Sequence, residues 1–144
     1  MNRRLFIQGI GAVGFIAPST FALAAPTDKI CYSDLAGNLF YTEQAPGRWR
    51  EKAATHLPKI EVQAADKGVS KIQVTTDHEM RDYEHYIIKH ILLNENFQFL
   101  DEHFFNPIVE KKAVSEFEVS NYSGTLYVLS VCNKHDTWLN PIEI

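Results

Sequence analysis

Five side chains of the kinds that bind transition metals stand in an ordered set along this chain: His56, His78, His85, Cys132 and His135. The last two share the run Cys132-Asn133-Lys134-His135-Asp136-Thr137-Trp138, where a spacing of three lets a thiolate and an imidazole on one loop face the same ion. Four imidazoles and one thiolate can enclose a single metal. A structural zinc site takes four ligands in a tetrahedron, most often with more than one thiolate. This set is too numerous and too rich in nitrogen for that, and it suits iron. Neutral imidazoles avoid over-stabilising the ferric state. A thiolate pushes electron density through the metal toward whatever binds opposite, as in thiolate-ligated haem.

The other histidines and the second cysteine fall outside the set. His90 lies in an apolar run and reads as a strand-face residue, and His103, in Asp101-Glu102-His103, reads as solvated. Cys31 is the only other cysteine. In an oxidising compartment a pair of cysteines points to a disulfide, so a Cys31–Cys132 bridge is the alternative to a Cys132 ligand. A thiolate bound to metal is protected from oxidation while the site is loaded.

The chain of 144 residues is enough for one domain after a leader is set aside. Residues 1–24 read as a signal peptide. Arg3-Arg4 opens it, an apolar run spans Gly9 to Ala17, and Ala22-Leu23-Ala24 supplies small residues for cleavage before Ala25. The Arg pair, one residue and then Phe6 resemble a twin-arginine signal. That route carries folded proteins, so metal can be inserted in the cytoplasm before export to the periplasm. The apolar stretch is broken by glycines and Pro18 and is shorter than the ~20 residues a membrane-spanning helix needs. No stable membrane association is expected after cleavage. Loss of Arg3 and Arg4 takes the net charge from -4 to -6. An acidic domain with no basic run has no footprint for nucleic acid or anionic lipid.

The elements that must position the five ligands read as short strands. Lys59 to Ala64 and Lys71 to Thr75 alternate, with a hairpin turn at Asp66-Lys67-Gly68. Val114 to Val119 alternates too, and Thr125 to Val131 is the last strong strand. Leu39–Thr42 and Phe97–Leu100 are short apolar strands. Tyr86 to Leu93 fits a helical stripe nearly as well as a strand face, and its β-branched content decides for strand, with Tyr86, Ile88, His90 and Leu92 on one face. About seven strands at regular intervals predict an all-β fold, an antiparallel β-sandwich. Phe97, Phe99, Phe104, Phe105 and Phe117 are expected in its core.

The Cys132-Asn133-x-His135 loop with Trp138 resembles the iron-binding loop of the superoxide reductases, the neelaredoxin and desulfoferrodoxin family. The resemblance extends from Thr55 to Trp138. His56-Leu57-Pro58 looks like the loop of the first ligand, His78-Glu79-Met80 and His85-Tyr86-Ile87 like the second and third, and Ser115–Val119 like the strand before the final hairpin. It implies an immunoglobulin-like sandwich over residues 25–144. It also implies one iron, cycling between Fe2+ and Fe3+, on a square base of His56, His78, His85 and His135 with Cys132 as axial thiolate. Superoxide is then the substrate, reduced by one electron to hydrogen peroxide. The chain holds no second cysteine-rich iron module, so an external donor protein must supply that electron. Dimers or tetramers of the chain are a further implication.

Three positions depart from the family pattern. Glu79 stands where proline usually follows the second ligand. His78 and His85 are seven apart, one more than usual, so that loop must bulge. The family's Glu-Lys immediately before the first ligand is Ala54-Thr55 here, and Glu51-Lys52 lies three residues upstream. If Ala53-Ala54-Thr55 is an insertion, Lys52 reaches the site and becomes the candidate catalytic residue that draws superoxide in. Its displacement motivates a different class of function, a non-catalytic periplasmic metal-binding or electron-carrier protein. The disulfide alternative predicts a plain sandwich without metal.

Overall fold

The computed structural model describes residues 32–64 and 68–144. The signal peptide expected over residues 1–24, Cys31 and the first two residues of the Asp66-Lys67-Gly68 turn lie outside these. Among the described residues no helix is long and apolar enough to cross a membrane.

A short helix, α1 (Tyr32–Leu35), a 3-10 segment (Gly47–Lys52) and a helical turn, α2 (Ala53–His56), precede seven strands. These are β1 (Lys59–Ala64), β2 (Val69–Thr76), β3 (Ile87–Leu93), β4 (Phe99–Phe104), β5 (Ala113–Ser120), β6 (Thr125–Cys132) and β7 (Asp136–Glu143). They form two antiparallel sheets, ordered β1-β2-β5 and β4-β3-β6-β7. The chain changes sheet after β2, β4 and β5, which is the connectivity of an immunoglobulin-like sandwich.

Alternation builds the interior. β6 buries Leu126, Val128, Ser130 and Cys132 and turns the residues between them outward. Ile72, Val74, Leu92, Phe117, Leu126 and Val128 form the main core between the sheets. A second cluster of Met80, Ile87, Phe105, Ala113 and Cys132 sits toward one end. That end collects the C-termini of β2 and β6 and the N-termini of β1, β3 and β7, as the pairings Lys59↔Thr75, Ile87↔Cys132 and Cys132↔Asp136 show.

Four expectations need correction. Leu39–Thr42 is not a strand; Tyr41 is held to β7 by an isolated parallel bridge, and Leu39 is 68% exposed. β7 takes its place in the count. It escapes a reading by alternation because Trp138 and Leu139, adjacent in sequence, are both buried. The inward face of β3 is Ile87, His90 and Leu92, since a bulge between Ile87 and Lys89 resets the phase. Phe105 and Phe117 are core, but Phe97, Phe99 and Phe104 are 43%, 60% and 59% exposed. Phe97 belongs to the turn before β4, where it stacks on Tyr127. Phe99 and Phe104 lie on β4, an edge strand that the three-stranded sheet leaves uncovered. The strand itself begins at Phe99 and runs to Phe104 instead of spanning Phe97–Leu100.

His90 is completely buried between the sheets, with Nε2 2.9 Å from Thr76 Oγ1 and Nδ1 2.8 Å from Ser115 Oγ; Thr76 Oγ1 also donates to Ser130 Oγ. Burial pushes its pKa down to about 3. The native state therefore holds it neutral, and the stability this contributes is present above pH ~6.5 and lost as pH falls from there toward 3. His90→Leu is expected to cost about 2 kcal/mol at pH 8, since Ser115 Oγ loses its partner inside the core. The same variant should show a shallower loss of stability between pH 6.5 and 4, read from urea unfolding at each pH.

Candidate metal centre

The five ligands of the sequence set come together. One donor atom from each of His56, His78, His85, Cys132 and His135 lies within 4.8 Å of all the others. Three loops at the same end of the sandwich bring them. α2 ends at His56 and Pro58 follows, which turns the chain extended into β1. The β2–β3 crossover carries His78 and His85. Cys132 ends β6, Asp136 begins β7, and the three-residue loop between them holds His135.

The extra residue between His78 and His85 is absorbed by a tight loop. Arg81 and His85 pair backbone to backbone, and Asp82 takes a positive φ of 44°. Asn133 ties that loop to the Cys132 hairpin. Its Oδ1 accepts from the Tyr86 amide at 3.0 Å, and its Nδ2 donates to the carbonyls of Tyr83 and Glu84. The hairpin closes on the Cys132↔Asp136 pair, where Asp136 takes a left-handed φ of 61°.

Four nitrogens trace a ring. His56 Nε2 is 2.9 Å from His135 Nδ1, which is 3.0 Å from His85 Nε2, which is 3.0 Å from His78 Nε2. Neighbouring rings meet at 77° to 86°, while His56 and His85, across the ring, lie 34° apart. Corners of a square with edges near 3.0 Å lie about 2.1 Å from its centre, the usual imidazole–metal distance, whereas tetrahedral ligands at that distance stand about 3.4 Å apart. The spacing therefore fits a square base and not a tetrahedron. Cys132 Sγ is 3.7 Å from His135 Nδ1 and 3.8 Å from His78 Nε2. These two nitrogens do not adjoin in the ring, so the sulfur faces the common point between them. Cys132 is a free thiol, and the Lys134 amide points at its sulfur at 3.4 Å.

Protons alone do not satisfy this arrangement. Burial holds the His56 pKa down to about 3 and that of His78 to about 4, and each is lowered further by neighbouring imidazoles. Burial lowers His85 and His135 as well, and it raises the Cys132 thiol. At neutral pH the donors are four uncharged imidazoles and a protonated thiol, with lone pairs crowded together. A cation at the centre satisfies them all.

Outer partners fix the rings. His56 Nδ1 donates to the Lys52 carbonyl at 3.0 Å and lies 2.9 Å from Thr55 Oγ1, which leaves the Nε2 lone pair facing inward. Glu79 stands 3.7 Å from His85 Nδ1 and also pairs with Arg81. The residue that replaces the family's proline thus serves as the carboxylate behind a ligand. His78 Nδ1 is buried with no hydrogen-bond partner of good geometry, and the Glu79 backbone acts on it. Trp138, fully buried, packs against the His56 ring and donates to the His135 carbonyl at 3.0 Å.

A pocket of about 350 Å³ opens onto His56, His78 and His85, with Lys52, Thr55, Asp77 and Glu79 in its walls. Neither Cys132 nor His135 borders it. The positive charge of Lys52, Lys134 and Arg81 is felt at the ligand imidazoles. Sequence reasoning missed Asn133 as a tie, Glu79 as a ligand partner, and Arg48, Trp49 and Asp136 as a cluster beside His135. Their partners are distant in sequence, so no local pattern betrays them.

The desulfoferrodoxin family model matches residues 48–141, a span that contains all five ligands. This chain belongs to the desulfoferrodoxin family. Among solved structures, a variant of superoxide reductase (neelaredoxin) from Ignicoccus hospitalis is similar at 30% identity, with a TM-score of 0.65 over 75% of this chain and 94% of that one. The unmodified Ignicoccus hospitalis protein is similar at 29% identity and TM-score 0.62, over 75% and 95%. Superoxide reductase (neelaredoxin) from Archaeoglobus fulgidus, at 24% identity and TM-score 0.58 over 74% and 98%, shares the fold. No curated protein matches the chain.

Binding of Zn2+ to the metal-free protein at pH 7 is expected to release about one proton, from Cys132 alone, because the histidines are already neutral. Calorimetric titration in two buffers of different ionisation enthalpy measures this. Cys132→Ala should bring the number near zero. Release of two or more protons from the unaltered protein would contradict the neutral-imidazole account.

Proposed function

We infer that this protein is a superoxide reductase with a single iron held by His56, His78, His85, His135 and Cys132. The convergence of four imidazole nitrogens and one cysteine sulfur on a common point, beside a pocket bordered by three of the histidines, carries the reading. Iron bound there would supply the single electron that superoxide takes up. With two protons the balance closes on hydrogen peroxide.

The chain's own residues supply the rest. Arg81 is paired with Glu79 and Glu84, Lys134 with Glu84, and the pocket wall carries Asp77 and Glu79, so attraction of an anion falls to Lys52 and weakens with salt. Lys52, at the pocket wall, makes no ion pair among the described residues, and its ammonium is the group placed to meet the anion. Water in the pocket, or Lys52 Nζ, delivers the protons. Burial of Cys132 among Met80, Ile87, Phe105 and Ala113 keeps water from the sulfur side. The electron arrives from an external donor protein. The Arg3-Arg4 leader supports export to the periplasm by the twin-arginine route.

The second reading, a metal-binding or electron-carrier protein without turnover, rests on one observation: Ala54 and Thr55, not Glu and Lys, precede His56. The two readings separate in one experiment. Iron-loaded protein is expected to consume superoxide generated by pulse radiolysis in a fast second-order step, and Cys132→Ala to lose turnover. Iron bound at one per chain without that step would select the carrier reading. A Cys132→Ala variant with full activity would contradict the superoxide reductase assignment.

A further inference from the structure

Asp136 takes a left-handed φ of 61°, a region that aspartate tolerates and glycine adopts freely. Its carboxylate accepts from two residues far back in the chain, and Tyr41 acts on it as well. Its Oδ2 accepts from Arg48 Nη2 at 2.5 Å and from Trp49 Nε1 at 2.8 Å. The Arg48 guanidinium lies 5.1 Å from the centre of the Trp49 ring, and the Trp49 and His135 ring centres are 4.7 Å apart with their planes at 78°.

Arg48 and Trp49 belong to the 3-10 segment Gly47–Lys52. That segment has little of its own to hold it. None of its residues is buried, no side chain caps its start, and its backbone is kinked at Trp49, with φ -106° and ψ 25°. Yet it ends on Lys52, which borders the pocket, whose charge acts on His135 and whose carbonyl holds His56 Nδ1. Gly47 packs closely on Gly37 and Tyr41, and the side-chain hydrogen bonds that Arg48 and Trp49 send to the metal-site loop both end on the Asp136 carboxylate.

We propose that Asp136 is a positioning residue: through Arg48 and Trp49 it docks the Gly47–Lys52 segment on the Cys132–His135 loop and so holds Lys52 over the metal pocket. The displaced lysine is thereby brought to the site by a contact across the fold and not by its place in sequence. The role assigned to Lys52 rests on the superoxide reductase reading; the docking itself does not.

Asp136→Gly separates the two, because glycine suits the backbone there and removes only the carboxylate. Trp138 is fully buried, so acrylamide quenching of tryptophan fluorescence in zinc-loaded protein reports Trp49. The variant is expected to raise the quenching constant about threefold without lowering the unfolding midpoint, as a released surface segment becomes solvent-accessible. In iron-loaded protein, Asp136→Gly and Lys52→Ala should each slow reaction with superoxide by roughly three- to tenfold and flatten its salt dependence. The double variant should be no slower than Lys52→Ala, and Asp136→Asn, which keeps one acceptor oxygen, should recover part of the rate. Unchanged quenching in Asp136→Gly, or full additivity in the double variant, would overturn the proposal. If the unaltered protein does not react with superoxide, the functional reading falls, and the quenching comparison alone decides whether Asp136 docks the segment.

Discussion

Five lone pairs aimed at one buried point repel one another, and burying them without a partner costs free energy. Protonation is the usual escape, and burial closes it here by lowering the imidazole pKa values and raising that of the thiol. A bound cation is the remaining way to stabilise the arrangement. The fold must therefore hold the donors in place against that repulsion before the metal arrives, and the structure around them is organised for it. Asn133 joins two of the ligand loops, the Lys52 carbonyl and Thr55 orient His56, Glu79 stands behind His85, and Trp138 supports both His56 and the His135 carbonyl.

The sandwich makes this possible through its strand ends. Antiparallel pairing places the C-termini of β2 and β6 beside the N-termini of β1, β3 and β7, so side chains far apart in sequence share one end of the sandwich. The thiol projects from the last inward position of β6, on the rigid sheet, while four imidazoles come from loops. The apolar cluster beneath Cys132 excludes water on that side. On another side a pocket bordered by His56, His78 and His85 carries charge of both signs, Lys52 beside Asp77 and Glu79.

Much of the site was legible because ligand chemistry is local. Side-chain type, order and the Cys132-x-x-His135 spacing are enough to collect the five donors, and alternation reveals β2, β5 and β6. What was not legible depends on contacts between distant segments. β7 was hidden because it buries two adjacent residues. The phase of β3 was hidden because a bulge shifts it. The exposed Phe99 and Phe104 were misplaced because composition does not tell an edge strand from a central one. Lys52 was reachable from sequence only as a hypothesis about an insertion. Its anchor on Asp136 needed the fold.

In the proposed centre one iron is held among four imidazoles with the Cys132 thiolate bound to it. X-ray absorption at the iron edge of the iron-loaded mature protein tests this most directly. The account predicts a shell of nitrogen neighbours at about 2.1 Å together with one sulfur neighbour, and loss of the sulfur in Cys132→Ala. A shell of nitrogen and oxygen alone in the unaltered protein would contradict it.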